Sequence, residues 1–301
     1  MTAAPALWQL DRADPGAELP LIVNVPHAGT WLPPEIAGTL TAAGVAVPDT
    51  DWHVEKLYDF VPSMGATLMT ATHSRIVVDL NRDPSGDALY PGASNTEICP
   101  TATFHDEPIY LAGQAPDGAA MASRVERYWL PYQRQLAAEI LRVKTRHGYC
   151  ILLDGHSIVS EAPRFFAGRL PDLNLGTADG MSCAPSLAQP AFQLLSHADG
   201  FSAVHNGRFK GGYITRHYGK PDQQVHALQL EMAQRCYMNE ATPQRYDGTR
   251  AGALKAILKS LVEHLLNWHP GLGGTTKKQD HCKWLLLQQP NPFLPSPCWS
   301  R

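Results

Sequence analysis

The chain has 301 residues, 44% hydrophobic and 18% charged, with 25 Lys and Arg set against 28 Asp and Glu. A net charge of -3 and a pI near 6.5 give no electrostatic basis for binding nucleic acid or an anionic membrane. No window approaches the roughly 18 consecutive apolar residues of a membrane span. The opening MTAAPALWQLDRADPG also lacks the basic-then-apolar pattern of a signal peptide. Six scattered cysteines without a C-x-x-C pair read as reduced thiols, so a cytoplasmic protein is expected.

In chain order, Leu21–Val25 (LIVNV) reads as a buried strand that breaks at Pro26 and presents His27 on a turn. The stretch DWHVEKLYDFV then spaces Val54, Leu57, Tyr58 and Val61 as a helix, with Thr50 or Asp51 placed to cap it. Gly65–Thr72 is a weaker strand, and Arg75–Leu80 (RIVVDL) is a buried one leading into DLNR. Asp83–Gly118 is a Gly/Pro/Asp-rich loop, of a length that usually carries function. Ala119–His147 puts Val125, Trp129, Tyr132, Leu136, Ile140 and Val143 on one helical stripe that Gly148 stops. Pro131 predicts a kink there or the true start of the helix.

Tyr149–Asp154 (YCILLD) is the next buried strand and ends in DGHS, followed by a second long loop, Gly168–Pro190. Val225–Met232 (VHALQLEM) is a strand carrying Glu231, and Arg250–Trp268 is a helix. Strands alternating with long helices predict an α/β domain over 1–269 with a parallel or mixed sheet. From Pro270 the composition changes, with five of the 25 prolines in the last 32 residues, and 270–301 reads as a loosely packed extension.

Sites in open α/β sheets gather beyond the carboxyl ends of strands. Here those ends carry His27, the pair Asp154 and His156, and Glu231. Either histidine alone is more often a structural residue. Two on turns after buried strands point to a zinc site, which in enzymes usually has three protein ligands. The carboxylate candidates are Asp51, Glu55 and Asp154, with His53 as a competitor. Asp51 is favoured, although capping a helix would explain it equally well. Asp154 is spaced to support His156 from behind.

Glu231, in an apolar run, is costly unless paired, metal-bound or protonated, so it is a candidate general base. Arg75 and Arg82 suit carboxylate or carbonyl recognition. The stretch HNGRFKGGYITRHYG (205–219) crowds Arg208, Lys210, Tyr213 and Arg216 beside a Gly pair, as an anion-binding loop or a basic hairpin tip. Neither a G-x-S-x-G elbow nor a P-loop is present.

The blocks NVPHAGTWLP, TDWHVEKLYD, SRIVVDLNRDP, LLDGHS, NGRFKGGYITRHYG and ALQLEMAQRCYM, in this order from about Leu21 to Trp268, together resemble the N-formylglutamate amidohydrolase family. That family is similar in plan to zinc carboxypeptidases and to the aspartoacylase group. The resemblance implies a three-layer α/β sandwich with a mixed central sheet and one zinc ion at the strand ends. From the aspartoacylase group it implies that Asn81 and Arg82 of DLNR hold a substrate carboxylate. Arg75 would polarise the scissile carbonyl, His156 of D-x-H would bind zinc, and Glu231 would be the base.

Those relatives bind zinc through H-x-x-E, whereas Thr30 stands here at the place of the glutamate. The expected ligands are therefore His27, Asp51 and His156, with Tyr213 and Arg216 added to the substrate contacts. The implied reaction is hydrolysis of N-formyl-L-glutamate to formate and L-glutamate, a step of histidine breakdown. A hydrolase of another N-acyl amino acid or small peptide, or a non-catalytic binder of acidic metabolites, are the competing expectations.

Overall fold

The runs LIVNV and CILLDGHSI are buried at every position and lie side by side as parallel strands. In the computed structural model, which describes residues 4–86 and 96–271, they form the middle of a mixed sheet. Its strands are β1 (Trp8–Asp11), β2 (Leu21–Val25), β3 (Thr67–Ala71), β4 (Cys150–Ile158), β5 (Leu173–Gly176), β6 (Ala203–His205) and β7 (Val225–Ala233). The spatial order is β1-β3-β2-β4-β7-β5-β6. The inner four, β3, β2, β4 and β7, run parallel. Antiparallel pairing joins β1 to β3 and β5 to β7, while β6 is parallel to β5.

Both faces of the sheet are covered. Asn24 and Asp154 are register partners on β2 and β4, and Asn24 Nδ2 donates to Asp154 Oδ1 at 2.7 Å. Tyr132 of the helix Leu130–His147 donates to Asn24 Oδ1 at 2.7 Å, which fixes that helix on this face. Gly155 points the opposite way, and a Cβ there would stand 2.8 Å from Cε2 of Tyr58. Tyr58 therefore packs on the second face, and the turn Val54–Leu57 before it meets the helix Gly248–Leu266. The outcome is the expected three-layer α/β sandwich around a mixed sheet. No helix among the described residues is long and apolar enough to cross a membrane. Cys99, Cys150, Cys183 and Cys236 are free.

The long stripe before Gly148 is helical throughout, as Gly118–Arg124, a π turn Val125–Trp129, and Leu130–His147. Pro131 sits in the first turn of the last piece, where the preceding wide turn accommodates its ring and missing N–H.

Three expectations are corrected. Arg75–Leu80 is buried but is not a strand. Its backbone turns, with Val77 N–H donating to Ser74 O, and Arg75 reaches Asp79 at 2.6 Å. Four residues of strand would cover about 13 Å, so the apolar run reports burial without pairing. The helix after Asp51 is a single turn, Val54–Leu57, with His53 at its N-cap in the left-handed region (φ 63°) and no side-chain cap. Gly168–Pro190 is not one loop, because it contains β5 and the start of the helix Pro185–Ser196. β5 is four residues long, too short for its alternation to be read. Residues 87–95 of the Asp83–Gly118 loop and 272–301 of the C-terminal extension lie outside the described residues.

Candidate active site

β2, β4 and β7 share their carboxyl ends at one edge of the sheet. His27 follows β2 by two residues, His156 lies in β4, and Glu231 stands in register with His156 on β7. Asp51 reaches them from a loop whose backbone is tied to β2, since Asp51 N–H donates to His27 O at 3.0 Å. The left-handed residue His53 then turns the chain away, and its Nε2 lies 2.8 Å from Pro243 O. Glu55 lines a separate cleft with Gln9 and Thr70. Of the candidates named beside Asp51, neither His53 nor Glu55 is in the site.

His27, Asp51 and His156 are all buried, and their candidate ligand atoms lie within 4.8 Å of one another. Asp51 Oδ2 is 3.0 Å from His156 Nδ1 and 3.9 Å from His27 Nδ1. It also accepts the Ser157 N–H at 3.0 Å. Each imidazole turns its other nitrogen to a carboxylate: His27 Nε2 is 2.8 Å from Asp79 Oδ1, and His156 Nε2 is 2.9 Å from Asp154 Oδ2. Carboxylates behind the far nitrogens orient ligating histidines and fix their tautomers.

Asp51 Oδ1 is buried and has no hydrogen-bond partner, with Arg75 Nη1 3.8 Å away. A buried carboxylate oxygen left without a donor is costly, and a cation among these three residues would relieve it. The donor set, two imidazoles and one carboxylate, suits zinc.

The charges in the centre are tuned by burial and by one another. Burial and the nearby Arg75 push His27 down, towards the neutral imidazole a metal requires, whereas burial of His156 is outweighed by Asp154 and Asp51, which push it up. Burial opposes ionisation of Asp79, but Arg75 and His27 outweigh it and hold its carboxyl well below the usual range. Burial pushes Glu231 up to about 7, aided by Asp51 and Asp154 and opposed by His156 and Arg75.

One cavity opens over this floor. It is lined by the three candidate ligands and by Glu231, Arg75, Asn81 and Arg82. Asn81 is spent within the protein: Nδ2 donates to Asp154 Oδ2 at 3.1 Å, and Oδ1 accepts the Ile214 N–H at 2.8 Å. Gly212 packs so closely on it that a Cβ would stand 2.4 Å from Asn81 Nδ2. Arg82 is anchored by Nε to Thr96 Oγ1 at 3.0 Å. The upper wall is aromatic, with Phe104, Phe165 and Phe209, and it includes Arg208.

Tyr213 and Arg216 do not line this cavity. Tyr213 packs on Trp129 and stacks on His217, while Arg216 donates Nε–H to Gly211 O and faces a cleft with Lys220.

Asp79 joins the site unexpectedly, although its place in DLNR four residues after Arg75 is a usable signal. Gln229, two residues before Glu231, donates Nε2–H toward Glu231 Oε2 at 3.3 Å and was equally readable from strand alternation. The aromatic wall comes from three distant loops, and nothing local to any of them announces it.

The sequence model described as N-formylglutamate amidohydrolase matches residues 19–238, a span that contains every residue of this centre. The chain belongs to the N-formylglutamate amidohydrolase family. It is 46% identical over 250 residues to N-formylglutamate deformylase of Pseudomonas aeruginosa, covering 83% of this chain and 94% of that protein. The corresponding protein of Pseudomonas putida is 44% identical over 250 residues, covering 83% and 93%. The crystal structure of N-formylglutamate amidohydrolase from Ralstonia eutropha JMP134 superposes with a TM-score of 0.72 at 28% identity, covering 87% of this chain and 98% of that one. Similarity of this order over nearly the whole of each relative places the amidohydrolase fold and the floor of the cavity within the matched region.

Proposed function

We propose that the chain hydrolyses N-formyl-L-glutamate to formate and L-glutamate, with one zinc ion held by His27, Asp51 and His156. The observation that carries this reading is the convergence of those three ligand groups and Glu231 in one cavity lined by arginines. The substrate is that of the Pseudomonas relatives, which are named for the same deformylation.

Zinc held by His27, Asp51 and His156 would supply Lewis acidity for the hydrolysis. The chain's own residues do the rest. Glu231 takes a proton from the attacking water and delivers it to the amide nitrogen as the C–N bond breaks. Arg75, fixed by its 2.6 Å contact with Asp79, directs its guanidinium to the oxygen on which negative charge develops. Arg82 binds the carboxylate next to the scissile amide, and Asn81 positions Asp154 behind His156.

The test is formate release from N-formyl-L-glutamate by the purified protein, before and after chelation and with zinc restored. We expect turnover that chelation abolishes and about one equivalent of zinc recovers. No formate release from zinc-loaded protein overturns the proposal. Equal rates on N-acetyl and N-succinyl amino acids would replace it with a broader N-acyl hydrolase.

A further inference from the structure

The floor of the cavity accounts for the scissile amide and one carboxylate, but the proposed substrate has a second carboxylate two methylenes further on. We propose that Arg208 binds this remote side-chain carboxylate, and that the aromatic wall between floor and Arg208 selects for the two methylenes. This rests on the deformylase reading above and names a specificity residue within it.

A chain of contacts sets the spatial order. The Arg75 guanidinium lies 5.1 Å from the Phe104 ring centroid, and Phe104 meets Phe165 edge-on at 5.0 Å. Phe165 in turn lies 5.9 Å from the Arg208 guanidinium, which is also 5.4 Å from the Phe209 ring centroid. Arg75 and Arg208 both line the cavity, and Phe104 and Phe165 form the chain of contacts between them.

Arg208 is also oriented. Its Nε–H donates to Phe165 O at 2.7 Å, which fixes the plane of the guanidinium against the wall. A guanidinium beside aromatic faces keeps its charge. A substrate of this shape has charge at both ends and hydrocarbon between, and so does the cavity. Arg216, expected from the sequence among the substrate contacts, lies in the short helix Tyr213–Tyr218 and faces the cleft with Lys220.

The experiment compares N-formyl-L-glutamate with N-formyl-L-glutamine, which has nearly the same shape and lacks the remote charge. Wild-type protein, Arg208→Met, Arg208→Lys and Arg216→Met are assayed, and calorimetry with L-glutamate and L-glutamine reads the same contrast without turnover. We expect wild type to prefer the acid by 100-fold or more in kcat/KM. Arg208→Met should cut that ratio at least tenfold, mainly through KM, while turning over the glutamine compound within about threefold of wild type. Arg208→Lys should keep part of the preference, and Arg216→Met should leave the ratio unchanged.

An acid/amide ratio that survives in Arg208→Met, or one that collapses in Arg216→Met, overturns the assignment. Wild type that treats the two compounds alike also overturns it. Absence of any turnover by wild type counts against the deformylase reading instead, and the calorimetric ratio then still decides the role of Arg208.

Discussion

The floor and the upper wall of the cavity are built in opposite ways. The floor stands on the ends of three parallel strands, and each nitrogen of His27 and His156 faces a buried carboxylate. The wall comes from loops around Phe104, Phe165 and Phe209, and with Ile158, Ala162 and Leu170 these aromatics form a small apolar cluster of their own, separate from the main core. Strand ends hold charge at fixed distances, which is what bond breaking needs. Loop-borne apolar surface can be reshaped without disturbing those distances, which is what substrate selection needs. The two regions meet at Asp49, whose carboxylate oxygens accept the Phe104 N–H at 3.2 and 3.1 Å only two residues before Asp51.

If this division holds, changes in the floor alter chemistry and changes in the wall alter stability or choice of substrate. The largest effect is expected for Glu231→Gln, with kcat falling about 10²–10⁴-fold and zinc content unchanged by elemental analysis. Retained activity would move the base elsewhere. The same residue sets a pH limb. As the proposed base Glu231 must be ionised to act, and burial pushes it up to about 7, so kcat/KM is expected to drop tenfold per unit below the limb. A neighbouring cation favours the ionised form and shifts that limb to lower pH. Rate profiles of wild type should show the limb at or below pH 7, and those of Glu231→Gln should lack it.

Asp79→Asn is expected to come next. It keeps the shape but weakens both the support of His27 and the counter-charge of Arg75, so zinc affinity should fall about 10–100-fold. Competition with a chromophoric chelator measures this. An unchanged affinity would show that the floor does not depend on the carboxylate behind His27.

The smallest effect is expected where floor and wall meet. Burial pushes the Asp49 carboxyl up to about 6. A carboxyl raised in the folded state costs nothing below its unfolded pKa, loses stability as pH rises to about 6, and carries the full penalty above it. For Asp49 this is on the order of 1–3 kcal/mol. Asp49→Asn retains a carbonyl for the Phe104 N–H and removes the charge. Urea unfolding should find it more stable than wild type at pH 7.5 by about 1–2 kcal/mol and equal at pH 4, with turnover little changed. A variant less stable at pH 7.5 would mean that the ionised carboxylate secures the wall.

The asymmetry between floor and wall also explains what could be read from the sequence. His27, His156 and Glu231 each end a run of apolar residues, and a polar group at the end of a buried strand is visible in one dimension. Asp51 was harder, because an aspartate before a helical pattern reads as a cap. Its contacts with His156 and Ser157, from segments about a hundred residues away, show that its carboxylate goes to the centre. RIVVDL looks like a strand in the sequence because buried turns and buried strands share composition. The aromatic wall was hidden altogether, since Phe104, Phe165 and Phe209 sit in polar surroundings far apart in the chain and acquire meaning only when the loops meet.

Asp79 has a consequence that reaches beyond its own contacts. One of its oxygens holds His27 and the other holds Arg75. A single planar carboxylate therefore sets the spacing between His27 and Arg75, the proposed metal ligand and the proposed carbonyl-facing group. Neither can be shifted without pulling the other, so substitutions at positions 27 and 75 should not combine additively in a double-mutant cycle. In the proposed reaction, the cation held by His27 and the guanidinium of Arg75 would then act as one part, which this chain can vary only together.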